Sequence, residues 1–140
     1  LGVSEGVAAG EAANAMQPGQ HGSTFGGNPL VSRTACTVLD IMRDENLAGH
    51  AESLGQFIMQ GFRERLGDDP RVLDIRGRGL MIGIELDRNA APARQHALDA
   101  GLLVNVTQEN IIRLLPPLII DREQSEQIVS VVCDSIEALD

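Results

Sequence analysis

Two segments of the sequence gather residue types that hold anions. The first reads His21-Gly22-Ser23-Thr24-Phe25-Gly26-Gly27-Asn28-Pro29. Its glycines let the backbone approach a ligand closely or take positive φ. The hydroxyls of Ser23 and Thr24 and several amides lie just ahead of an expected helix N-terminus, a place that favours phosphate. A Gly-rich turn feeding a capped helix fits the same residues, because the spacing is neither a P-loop nor a dinucleotide motif. The second segment is Ile111-Ile112-Arg113-Leu114-Leu115-Pro116-Pro117. A guanidinium among apolar residues is costly to bury without a partner. Its planar fork suits a carboxylate held through two hydrogen bonds. The competing reading is an arginine on the exposed face of an edge strand.

Other groups carry less chemistry. Arg76-Gly77-Arg78-Gly79 can bind an anion or form a tight connection with solvated charges, and we read it as structural. His21, His50 and His96 show no ligand spacing to one another, and His50 and His96 read as surface or rim residues. Cys36 and Cys133 are isolated and read as two buried, reduced thiols of a cytoplasmic protein. No metal site and no catalytic triad has support.

The elements that must position these residues follow from periodicity. Residues 1–27 show little apolar pattern and read as loop, or as the tail of another domain. Asn28 caps a helix with Pro29 at its first position, and Val31, Ala35, Val38 and Met42 make its buried stripe. Asn46 is expected to cap a second helix faced by Leu47, Ala51, Leu54, Ile58, Phe62 and Leu66, which Gly67 ends in the left-handed conformation. Val72–Ile75 is a short strand. In the next strand Ile82, Ile84 and Leu86 share one face, Gly83 and Glu85 the other. Pro92 opens a short helix over Ala93, Ala97 and Ala100, closed by Gly101. Leu102–Val106 and Ile111–Leu115 are further strands, joined by a hairpin loop over residues 107–110. Asp121 and Gln124 make a capping box for a last helix striped by Ile128, Val132, Ile136 and Leu139. Short strands with hairpin-length links imply an α+β fold, an antiparallel sheet of three to four strands with helices on one face.

Composition narrows the partners. The 140 residues suit one modest core and contain three Phe, no Trp and no Tyr, so that core is aliphatic. A net charge of −9 offers no basic face for nucleic acid and disfavours an anionic membrane surface. No apolar run reaches the roughly 20 residues of a membrane span. The first residues match no signal peptide and include no initiator Met, so the expectation is a chain that begins inside a longer protein.

The run HGSTFGGNP at His21–Pro29 resembles the motif of class III aminotransferases of fold type I, and most closely their acetylornithine and succinylornithine branch. Gln17-Pro18-Gly19-Gln20, RGRGLMIGIEL at Arg76–Leu86, GLLVN at Gly101–Asn105 and IRLLPPLII at Ile112–Ile120 occur in the family's order. The resemblance spans essentially the whole chain. It implies that residues 1–27 end a large domain that binds pyridoxal phosphate, and that residues 28–140 form a C-terminal small domain. It implies that Thr24, with Ser23 beside it, contacts the cofactor phosphate of a neighbouring subunit, so that the parent is a homodimer. It implies that Arg113 grips the α-carboxylate of a small amino-acid substrate. The implied reaction moves an amino group between N-acetylornithine and 2-oxoglutarate, in arginine biosynthesis. Ornithine, 4-aminobutyrate or succinylornithine are alternative donors. A non-catalytic, free-standing oligomerisation module is the alternative of another class.

One absence bears on all of this. The eleven basic residues are all Arg, and the Lys count is zero. The family's cofactor-holding lysine would lie upstream, so the chain alone is expected to bind no cofactor and to be inactive. Mixed with pyridoxal phosphate across neutral pH, the chain should therefore gain no visible absorbance band of covalently held cofactor, and such a band would contradict the expectation.

Overall fold

The computed structural model describes residues 10–15, 22, 24 and 26–139. They fall into two compact units, Leu1–Asn46 and Leu47–Asp140. The first holds α1 (Glu11–Ala15), inside the stretch read above as loop, and α2 (Pro29–Asp44). Asn28 caps α2 as expected, its Oδ1 accepting from the Val31 amide at 3.1 Å. The stripe expected to be buried is not: Val31 alone of α2 is buried, while Val38 is half exposed and Leu30, Leu39 and Ile41 are exposed too. Asn46 is not the cap of the next helix. Its φ of +48° is left-handed and its amide donates to the Arg43 carbonyl, so it terminates α2 instead.

The second unit begins with α3 (Leu47–Leu66), which buries Ala51, Gly55, Ile58, Phe62 and Leu66. Gly67 ends it without positive φ. A Cβ there would stand 2.4 Å from the Arg63 carbonyl oxygen, so close approach is what demands glycine. The strands are β1 (Val72–Arg78), β2 (Met81–Leu86), β3 (Asn105–Thr107) and β4 (Ile111–Leu114), ordered β1-β2-β4-β3 and antiparallel throughout. The third strand starts later and is shorter than Leu102–Val106. Gln108 and Glu109 turn the β3–β4 hairpin with φ of +51° and +65°. The Asn110 amide group holds that turn to the Leu86 carbonyl.

Between β2 and β3 lies α4 (Ala91–Asp99), with Ala93 and Ala97 buried and Ala100 exposed, ended by Gly101 at φ +84°. The last helix, α5 (Arg122–Glu137), carries the expected capping box at Asp121 and Gln124. The strand residues Ile82, Ile84, Leu86, Ile112 and Leu114 form the core with Ile58, Phe62, Val132 and Ile136 of α3 and α5. Fully burying side chains of this size contributes about 1.5–3 kcal/mol each. The sheet and helices are thus the α+β arrangement expected. His50 is half-buried, its Nε2 within 2.8 Å of the Ile120 carbonyl oxygen, which requires the ring to donate there.

One contact has no side chain to yield. A Cβ at Gly55 would lie 2.0 Å from the Gly79 carbonyl oxygen and 2.5 Å from its carbon. Gly55→Ala should force α3 away from the β1–β2 turn and cost about 1–3 kcal/mol or more, read as a lowered urea midpoint. Cys133 is buried as expected, whereas Cys36, on the largely exposed α2, is not. Burial pushes the Cys133 thiol up to about 11, against the pull of Arg65. The folded state therefore holds its proton more tightly than the unfolded state, whose thiol titrates near 8.5. Stability should fall as pH rises from roughly 8.5 toward 11, and Cys133→Ala should flatten that alkaline limb of the urea midpoint.

Candidate functional site

Sheet register decides what Arg113 can do. In β4 it is directly opposite Gly83 of β2 and Asn105 of β3, and Gly83 is opposite Arg76 of β1. Directly paired residues share a face. Arg76, Gly83, Arg113 and Asn105 thus make one row across all four strands, on the face away from the buried isoleucines. The next row holds Asp74, Glu85, Ile111 and Thr107. Arg113 is exposed, but β4 is an interior strand, so it does not owe its exposure to an edge.

The arginines of this face differ in their partners. Arg76 Nη1 donates to Asp74 at 2.8 Å and to Glu85 at 2.7 Å. Those two carboxylates, Asp74 first, hold the Arg76 guanidinium above its ordinary value. Arg78 and Arg113 have no ion pair or hydrogen bond of their own among the described residues. Arg76, Arg78 and Arg113 line one shallow cavity of about 360 Å³, and no carboxylate lines it. In a chain of net charge −9 this is a local reversal of sign, suited to an anionic ligand. Arg113 presents a free fork there, the geometry a carboxylate takes through two parallel bonds.

An apolar cavity of about 430 Å³ lies elsewhere, between the end of β4 and α5, with Leu103, Leu115 and Ile128 in its wall. No charged side chain lines it, so it does not compete as an anion site.

Thr24 belongs to the first unit and is exposed. The Ser23 and His21 assignments lie outside the described residues. Gly27 takes φ of +70° just before the capped N-terminus of α2, as a tight turn there requires. Among the described residues no group of His, Cys, Asp and Glu can hold a metal ion, and no helix is long and apolar enough to cross a membrane.

Sequence reasoning placed Arg113 and Thr24 as candidates but did not join Arg78, Gly83 and Asn105 to Arg113. Alternation alone puts Gly83 and Glu85 on the face opposite Ile82 and Ile84. Naming Arg113 as the neighbour of Gly83 requires the register of β2 against β4.

Comparison with known proteins agrees with this fold. The family model described as aminotransferase class-III matches residues 1–136. Acetylornithine aminotransferase 1 of Bordetella pertussis is 44% identical over 131 residues, covering 94% of this chain and 33% of that protein. Ornithine aminotransferase 1 of Staphylococcus aureus (strain MRSA252) is 44% identical over 119 residues, covering 85% of this chain and 30% of that protein. The crystal structure of acetylornithine aminotransferase from Elizabethkingia anophelis superposes with a TM-score of 0.77 at 34% identity, over 91% of this chain and 35% of that one. The chain spans about a third of the length of the curated relatives it matches. With that family model matching nearly its whole length, the chain belongs to the class-III aminotransferases.

Proposed function

We propose that the chain is the C-terminal part of a pyridoxal-phosphate-dependent acetylornithine aminotransferase, and that Arg113 holds the substrate α-carboxylate. The observation that carries this reading is the unpartnered Arg113 fork on the open face of an interior strand. An arginine whose fork was already engaged by a carboxylate of the chain would have offered a substrate fewer donors. The residues near Thr24 fit one part of the cofactor. An exposed hydroxyl and a Gly-rich turn ahead of a helix N-terminus suit its phosphate. Thr24, with Ser23, would hold that phosphate in a neighbouring subunit of a homodimer. When bound, the cofactor supplies an electron sink that carries the amino group between substrates. This chain has no lysine to anchor it, so catalysis belongs to the whole enzyme and the chain alone is inactive.

In the same reading residues 1–27 end the cofactor domain and residues 28–140 form the small domain. The whole enzyme is cytoplasmic and serves arginine biosynthesis. Arg113 orients the substrate, its two parallel hydrogen bonds fixing both the position and the plane of the carboxylate. The same group receives the amino acid in one half of the reaction and the oxo acid in the other. A second reading, an ornithine aminotransferase, is supported by the Staphylococcus aureus relative at equal identity.

The test is to join this chain to the upstream two-thirds of the Bordetella pertussis relative and assay N-acetylornithine, ornithine and 4-aminobutyrate with 2-oxoglutarate. Activity greatest with N-acetylornithine is expected. Arg113→Ala should lower kcat/KM for amino donor and oxo acid alike by about 30- to 150-fold, the equivalent of ~2–3 kcal/mol for truncating one partner of a bonded charge pair. Arg113→Lys should restore only part, since it keeps the charge and loses the fork. A folded hybrid without transaminase activity, or one indifferent to Arg113→Ala, would sink the reading.

A further inference from the structure

We propose that Gly83 is a specificity-determining residue that keeps the floor of the carboxylate site clear beside Arg113. The inference rests on the reading of Arg113 as the carboxylate anchor and extends it to the strand residue that shapes the site.

Glycine inside a strand weakens it, and where one persists it marks a bulge, a bend or the close approach of a ligand or another backbone. The neighbouring glycines have reasons within the chain. A Cβ at Gly77 would meet the Met81 carbonyl oxygen at 2.7 Å, and Gly79 has φ of +53°. Gly83 has neither reason. Its φ is not in the left-handed region, and the pairing β1-β2-β4 runs through it without a bulge, from Arg76 to Gly83 to Arg113. A Cβ there would meet only Ile111 Cγ2, at 3.7 Å, an ordinary contact. The fold would therefore accept a side chain, and with it a better strand.

The space that side chain would fill is the cavity shared by Arg76, Arg78 and Arg113. Gly83 is flanked in its row by two arginines. Arg76, on one side, is held by Asp74 and Glu85; Arg113, on the other, has no partner among the described residues. A carboxylate seated on the Arg113 fork would lie over the sheet beside Gly83, since paired positions are about 5 Å apart. An alanine methyl would crowd that position slightly. A branched side chain would occupy it.

The experiment uses the full chain and two readouts. Urea midpoints compare Gly83→Ala and Gly83→Val with the unsubstituted protein. NMR follows the Arg113 side-chain Nε–H during titration with 2-oxoglutarate. The expected result is that both variants are at least as stable as the parent, that Arg113 shifts in the parent, and that the apparent Kd rises a few-fold in Gly83→Ala and at least tenfold in Gly83→Val. A loss of stability in Gly83→Ala would show that the fold itself needs glycine and would overturn the inference. So would an unchanged Kd in Gly83→Val, which leaves the role of Arg113 intact. A parent in which Arg113 does not respond to 2-oxoglutarate would overturn both.

Discussion

Burial of Ile82, Ile84 and Leu86 on one side of β2, and of Ile112 and Leu114 on the same side of β4, is the constraint from which the site follows. Side chains alternate along a strand, so a slip of one residue would carry the whole apolar set into water. With Ile82 opposite Leu114 and Ile84 opposite Ile112, Gly83 must be opposite Arg113, and both must face away from α3 and α5. The arginine is thus displayed by what its neighbours hide. No interaction of its own with the rest of the chain is required to hold it on that face.

The charge arrangement depends on the same register. Asp74 and Glu85 are partners across β1 and β2, one step along the face from Arg76. Their two carboxylates engage Arg76, itself about half exposed, so the pairs contribute little to stability. Their more consequential effect is on where free positive charge remains. Acidic residues outnumber basic ones by 20 to 11, yet the carboxylates of this face are committed to one arginine while Arg78 and Arg113 share the cavity. Elsewhere Arg65 reaches Asp134 and Glu137 from α3 to α5, and Arg122 covers the ring of Phe57, both at the surface of the helical layer.

What could be read in advance was what depends on local rules. The capping box of α5, the cap of α2, the period-two pattern of β2 and the glycine after α4 each rest on a few adjacent residues, and each is present. The misreadings came where several local solutions compete. Asn46 is favoured both as an N-cap and as a left-handed helix stop, and the short connection between α2 and α3 selects the second. Gly67 looks like a conformational glycine and is a steric one. The apolar stripe of α2 promised burial, but amphipathicity states only that a face prefers company. Period and composition also could not place Gly83 beside Arg113, since that adjacency joins residues thirty apart in the chain. Resemblance of the quoted motifs supplied the family, and the match to residues 1–136 agrees with it.

The contact between Gly55 and Gly79 has an evolutionary corollary. Side-chain packing drifts by compensation, one residue growing as its neighbour shrinks. Here two backbones touch, and one of them needs a left-handed φ as well. Neither partner has anything to shrink, so no second substitution can rescue a change at the first. Side chains packed elsewhere in the fold can drift in this way, while the seam between α3 and the β1–β2 turn stays closed to gradual exploration. It could be altered only by moving the whole helix at once.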